Sequence, residues 1–173
     1  MRSQDTEFRA YLAARFTLHR MDGDGNCLFK SLSHQLYGDA RHHAICRAAC
    51  CDFMQHHRQQ FANFVVGDFD AYVARMRLPA TWADEPELRA ASEIYARPIR
   101  VHTVRDREQP MVIGEPGVAA NPPLLLSYHL NSHYNSLENR DAVWHRLEYA
   151  PGEWERILAS TYEPGGNGGV GAA

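Results

Sequence analysis

A chain of 173 residues with 45% hydrophobic composition has the size of one ordinary domain, enough to bury roughly 70% of its unfolded surface without disulfide or metal staples. Eighteen Lys and Arg against 21 Asp and Glu leave a formal charge of -3, with no block of like charge, which argues against a nucleic-acid binder with a basic face and against an acidic tail. No apolar run approaches the ~18 residues of a membrane span, and the first twenty residues interrupt every apolar stretch with charge, so the expected setting is soluble, unsecreted and cytoplasmic, with the nucleus as a second compartment. Four cysteines, Cys27, Cys46, Cys50 and Cys51, suit free thiols in a reducing compartment better than a disulfide scaffold.

In chain order, Phe8, Tyr11, Leu12 and Phe16 fall at helical spacing and predict an amphipathic first helix over residues 1 to 16. The glycine-bearing segment MDGDGNC follows. Leu28, Leu32 and Leu36 then recur four apart before Gly38, so Cys27 sits at or just before the first turn of a short helix. Residues 42 to 64 continue helical, with Ile45, Ala49 and Phe53 on one stripe and Phe61, Phe64 and Val65 closing it. Phe69, Tyr72, Val73 and Met76 repeat the pattern before Pro79. Asp84 to Pro86 opens another helix, with Leu88, Ala91, Ile94 and Tyr95 as its buried stripe.

After Pro98 the period changes to two, predicting a strand through Ile99, Val101 and Thr103, then a short strand from Met111 to Ile113. LLLSYH, from Leu124 to His129, is a continuous apolar run that suits a strand covered on both faces. HYNSL follows after a turn at Leu130 to Ser132, and a last helix runs from Glu153 to Tyr162. Helices first and strands later in one unit predict an α+β or three-layer α/β fold, a small central sheet flanked by helices. The domain is expected over residues 1–162, with a disordered glycine-rich tail at 163–173.

A cysteine directly after a glycine turn and before a helix has its sulfur near the positive end of the helix dipole, which favours the thiolate a nucleophile needs. Gly23, Gly25 and Asn26 let the backbone bend around the sulfur, so N–H groups of Gly25 and Asn26 can face a developing oxyanion. Simple packing in the interior is the commoner fate of a free cysteine and stands beside this reading. A cysteine protease also needs an imidazole base and a polar group to orient it. His133 opens HYNSL, and Asn135, two residues on, shares its face if the segment is a strand. His42, His43, Cys46, Cys50 and Cys51 include i,i+4 pairs of metal-ligand types, but without a second half-site they read as a helix with buried cysteines, and no metal is expected. Phe69 and Tyr95 read as core aromatics, whereas Trp82, in a loop before a helix start, is open to either role.

Three blocks, DGDGNCLFKSLSHQLYG (Asp22 to Gly38), ELRAASEIYARPIRVH (Glu87 to His102) and SYHLNSHYNSL (Ser127 to Leu137), resemble in order and spacing the ovarian-tumour (OTU) domain cysteine deubiquitinases. FANFVVGDFDAYVARMR and YHLNSHYNS are similar to the subgroup that includes deubiquitinase A. The resemblance implies the OTU-type cysteine protease fold and hydrolysis of isopeptide bonds at the C-terminal glycine of ubiquitin, with no cofactor. It places the nucleophile at Cys27, the base at His133, the aspartate of the D-G-x-C motif at Asp24, and an Asp/Asn position at Asn135. Asp24 and Asn135 are thus two candidates to orient His133. A full charge stabilises imidazolium better than an amide, so Asp24 is expected as the main partner and Asn135 as support. The implied partners are ubiquitin, polyubiquitin chains and ubiquitinated proteins, met by a monomer with no nucleic acid or membrane. Because the ubiquitin tail is basic, Asp84, Glu85 and Glu87 are candidate docking residues beside Trp82. A protease for a ubiquitin-like modifier and a non-catalytic ubiquitin-binding module are the alternatives. The short segment from Arg105 to Gly117 bears on linkage selectivity.

Overall fold

The computed structural model describes residues 2–114, 121–129 and 132–161, so the expected tail at 163–173, the close of the domain at 162 and part of the 105–117 segment lie outside the described residues. The helical half contains α1 (Arg2–Arg15), α2 (Cys27–Tyr37), α3 (His43–His56), α4 (Arg58–Phe61), α5 (Phe69–Met76) and α6 (Glu85–Ile94), with α7 (Glu153–Thr161) at the end. The strands are β1 (Phe16–His19), β2 (Ile99–Thr103), β3 (Met111–Ile113), β4 (Leu124–His129) and β5 (His133–Asn139).

Local chemistry explains three of the helix ends. Gly38 stops α2 in the left-handed conformation at φ 72°, its N–H returning to the His34 carbonyl at 2.8 Å. Asp68 caps α5 by accepting from the Ala71 N–H at 2.8 Å. Asp84 starts α6, where the Glu87 carboxylate reaches back to the Asp84 N–H at 2.8 Å in a capping box, with proline tolerated in the first turn. The helix expected over 42 to 64 is divided. Residues Ala40–His42 form a 3-10 turn, α3 ends at His56, and His57 leaves helical geometry with its ring stacked on Phe53 at 4.0 Å. The break turns Phe61 into the core, edge-on to Phe53, while Phe64 is left 47% exposed instead of closing the stripe.

The sheet runs β1-β5-β4-β2-β3, antiparallel except where β2 pairs with β4. Side-chain alternation gives it two covered faces. Leu124 and Leu126 of β4 join Leu28, Phe29, Leu32, Leu36, Met54 and Leu88 in the main core beneath α2, α3 and α6, whereas Leu125 packs with Phe8, Leu12, Phe16 and Leu137 under α1. This is the mixed α/β layering expected. Strand β1 was not expected, and it pairs with β5 from Phe16↔Asn139 to His19↔Ser136. The consequence for the site is central: α2, with Leu28, Phe29, Leu32 and Leu36 all at most 1% exposed, is clamped against β4 and β5 and carries Cys27 on its first turn. Truncating any one of these leucines to alanine costs roughly 2–5 kcal/mol.

Candidate active site

Cys27 is the first residue of α2 and is 2% exposed. Its sulfur accepts the Tyr134 N–H at 3.5 Å and lies 3.9 Å from the Ser132 carbonyl oxygen. The residues on both sides of His133 therefore touch the Cys27 sulfur, which brings the end of α2 to the start of β5. Ser132 makes the turn into β5 with φ at +59°, a conformation that non-glycine residues seldom adopt.

On β5 the i,i+2 relation holds, and His133 Nε2 lies 3.0 Å from Asn135 Oδ1. That oxygen also accepts the Met21 N–H at 2.8 Å. A backbone donor requires the oxygen of the amide, so the Asn135 side chain is fixed with Oδ1 toward both partners and His133 must donate from Nε2. Nδ1 is then the basic nitrogen of the neutral ring, the one that can take a thiol proton.

Asp24 does not reach His133. Its carboxylate accepts from Lys30 Nζ at 2.7 Å and from the Asn26 N–H at 3.1 Å, and Lys30 holds its pKa down to about 2. Lys30, one helical turn beyond Cys27, captures the charge before the histidine can, and the carboxylate folds back on its own turn. The expected contact is corrected: Asn135, not Asp24, bonds the His133 imidazole, and Asp24 bonds within its own turn. The same contact corrects half of the expected oxyanion hole. The Asn26 N–H is turned to Asp24, whereas the N–H groups of Gly25 and Cys27 donate to no carbonyl or carboxylate among the described residues. Gly25, at φ +79°, must be glycine, because a Cβ there would lie 2.1 Å from the Ala80 carbonyl oxygen.

Electrostatics also depart from the helix-dipole expectation. Burial pushes the Cys27 thiol above its ordinary value, outweighing the N–H groups of Tyr134, Leu28 and Cys27 that favour the thiolate, and the Asp24 charge adds to the rise. A thiol of this kind needs an adjacent base in order to act as a nucleophile. Cys46, Cys50 and Cys51 are fully buried in the core, with burial lifting Cys46 to about 12 and Cys51 to about 11, so they are inert beside Cys27. Among the described residues no group of three or more His, Cys, Asp or Glu side chains is arranged to hold a metal ion.

Of the remaining candidates, Trp82 is 49% exposed, and Asp84 and Glu85 are exposed as a docking role requires. Glu87 is not: it is fully buried, accepting from Tyr72 Oη at 2.7 Å and from the Asp84 N–H, and so cannot meet a partner. Its place three residues after a capping Asp was the signal for that role. Phe69 and Tyr95 are core, 5% and 2% exposed. Two residues near the turn, Lys30 and Arg47, were not singled out. Lys30 bridges Asp22 and Asp24, and Arg47, 4% exposed, reaches the Asn26 side chain.

Comparisons with known proteins give the family. The family model described as OTU-like cysteine protease matches residues 22–136, a span that runs from the turn before Cys27 through Asn135. "OVARIAN TUMOR DOMAIN-containing deubiquitinating enzyme 6" of Arabidopsis thaliana is 35% identical over 138 residues, covering 79% of this chain and 26% of the relative. "OTU domain-containing protein 5" of Homo sapiens is 34% identical over 129 residues, covering 72% and 22%. The chain therefore spans about a quarter of the length of these relatives. Among solved structures, the OTU domain of OTUD1 superposes with a TM-score of 0.66 at 26% identity over 79% of this chain and 95% of that one. The Hazara virus OTU bound to ubiquitin shares the fold, with a TM-score of 0.60 at 16% identity over 76% and 86%. A match that encloses the cysteine, the histidine and the asparagine, on a sheet and helix arrangement shared with these domains, places the chain in the OTU-like cysteine protease family.

Proposed function

We propose that the chain is a deubiquitinating isopeptidase that uses Cys27 as nucleophile, His133 as base and acid, and Asn135 as the group that orients the imidazole. The observation that carries the reading is the Cys27 sulfur set against Tyr134 N–H and Ser132 O, on either side of a histidine whose Nε2 is anchored by Asn135. His133 Nδ1 takes the thiol proton as the sulfur attacks the carbonyl carbon of the ubiquitin C-terminal glycine. The tetrahedral oxyanion is received by the N–H groups of Gly25 and Cys27. The imidazolium then gives its proton to the departing lysine amine, leaving a thioester, and a water activated by the same nitrogen releases the glycine carboxylate. No step calls for a metal or organic cofactor.

The choice of ubiquitin is supported by the relative named a deubiquitinating enzyme and by the ubiquitin-bound viral OTU. Four buried free cysteines suit a reducing, cytoplasmic or nuclear setting, and the reading treats the enzyme as a monomer. The test is cleavage of a panel of lysine-linked diubiquitins by the wild-type chain and by Cys27→Ala. Release of monoubiquitin by the wild type alone supports the reading. Wild-type protein that binds but cleaves none of the panel favours the ubiquitin-binding module, and cleavage only of a ubiquitin-like fusion favours the modifier protease.

A further inference from the structure

Arg47 is a buried cation on α3 whose partners are neutral. Nη1 donates to the Met76 and Thr81 carbonyl oxygens, both at 3.0 Å. Nη2 donates to Asn26 Oδ1 at 2.8 Å and to the Gly25 carbonyl oxygen at 3.4 Å. The guanidinium carbon sits 4.4 Å from the centre of the Phe29 ring, and no carboxylate bridges Arg47 among the described residues. Asn26 Oδ1 accepts a second bond from the Ala80 N–H at 2.8 Å. One fork thus ties the turn before Cys27 to the segment from Met76 to Thr81.

The grip falls on one particular peptide. Arg47 holds the carbonyl end of the Gly25–Asn26 peptide, and Asp24 holds its N–H end. Fixing a planar peptide at both ends fixes its rotation, and that rotation decides how the flanking Gly25 and Cys27 N–H groups are presented. Ala80, held at φ +59° against Gly25, supplies the other wall of the turn. Burying an arginine without a counter-charge is unfavourable unless its hydrogen bonds are met, and here they are met by the two segments that must stay in register.

We infer that Arg47 is a positioning residue of the reaction: its fork locks the Gly25–Asn26 peptide to the Met76–Thr81 segment and holds the oxyanion-binding turn in its working shape. The inference rests on the proposed isopeptidase reading. A lysine cannot replace it, since an ammonium directs three donors from one atom and cannot span acceptors on both segments as the planar fork does.

The experiment uses the full chain carrying Arg47→Lys, with folding followed by circular dichroism. Hydrolysis of a ubiquitin C-terminal rhodamine amide should lose roughly 10- to 100-fold in kcat with KM changed less than about threefold. Alkylation of Cys27 by iodoacetamide, which develops no oxyanion, should stay within about threefold of wild type. Hydrogen–deuterium exchange should quicken in residues 22–27 and 76–81 together, and not in β5. Should Arg47→Lys fail to fold, Asn26→Ala, which deletes the shared acceptor, is judged by the same measurements. A folded variant with wild-type kcat overturns the inference, as does a kcat loss matched by the alkylation rate or by the unfolded fraction. If the wild type does not hydrolyse the ubiquitin substrate, the isopeptidase reading fails by itself. The exchange data then decide whether Arg47 couples the two segments, and unchanged exchange refutes it.

Discussion

Replacing Asn135 separates the two candidate partners of the His133 imidazole. The side chain is 5% exposed, and its oxygen serves both the Met21 N–H at 2.8 Å and His133 Nε2 at 3.0 Å. Asn135→Ala strands the Met21 donor at a cost of about 1–3 kcal/mol in stability, and it removes the anchor of the His133 Nε2. The expected effect on single-turnover cleavage of a ubiquitin amide is a fall of roughly 10- to 100-fold, with a residual rate from the oxyanion donors and binding. Asn135→Asp keeps an acceptor for both donors, so its rate should stay within about fivefold of wild type. Asp24→Ala loses only the Asn26 and Lys30 contacts and should cost less than about tenfold. Rates are to be measured at pH 7.5 with the folded fraction of each variant determined by urea titration. Near-wild-type cleavage by Asn135→Ala, with Asp24→Ala the more damaging change, would refute the assignment.

Three further expectations concern pH and burial. His34, with Nδ1 2.8 Å from Ser136 Oγ, is held by burial near a pKa of about 4 against an ordinary 6.5. The unfolded chain binds the proton across that interval, so stability is full above about pH 6.5 and falls as pH drops toward 4. Urea unfolding at pH 7 and 4.5 should show His34→Gln losing of order 2 kcal/mol of this dependence, and an unchanged dependence would count against the cause. Because burial raises the Cys27 thiol, its iodoacetamide reaction in the free enzyme should keep accelerating above about pH 8; a rate flat from pH 6 to 8 would show a preformed thiolate instead. Glu87→Ala should lower the melting temperature and leave KM alone, whereas Trp82→Ala should raise KM severalfold and leave melting alone, an ordering that the reverse result would overturn.

The parts of the fold legible from sequence were those marked by strong local chemistry. Gly38 and the four-residue spacing of Leu28, Leu32 and Leu36 delimit α2, and alternation delimits β2. The His133 and Asn135 pairing was accessible because a strand's two-residue period is insensitive to tertiary detail. Strand β1 was not legible, since FTLH is too short to show a period and is a strand only because β5 lies beside it. The interruption at His57 carries no glycine or proline and is driven by Phe61 reaching the core. Charged residues were the least legible. Asp24 faces a choice between Lys30 and His133 that only three-dimensional distance decides. Arg47 lies off the stripe of Ile45, Ala49 and Phe53, where a solvent-facing residue would be expected, and its acceptors lie far away in sequence.

The proposed function turns on Cys27 as the nucleophile of a ubiquitin-directed protease. Its most direct test is reaction of the full chain with ubiquitin bearing a C-terminal propargyl group, followed by tryptic mass spectrometry. One stoichiometric adduct is expected, on Cys27, lost in Cys27→Ala and kept in Cys46→Ser, Cys50→Ser and Cys51→Ser. Modification of one of those buried cysteines, or no adduct from folded wild-type protein, would contradict it.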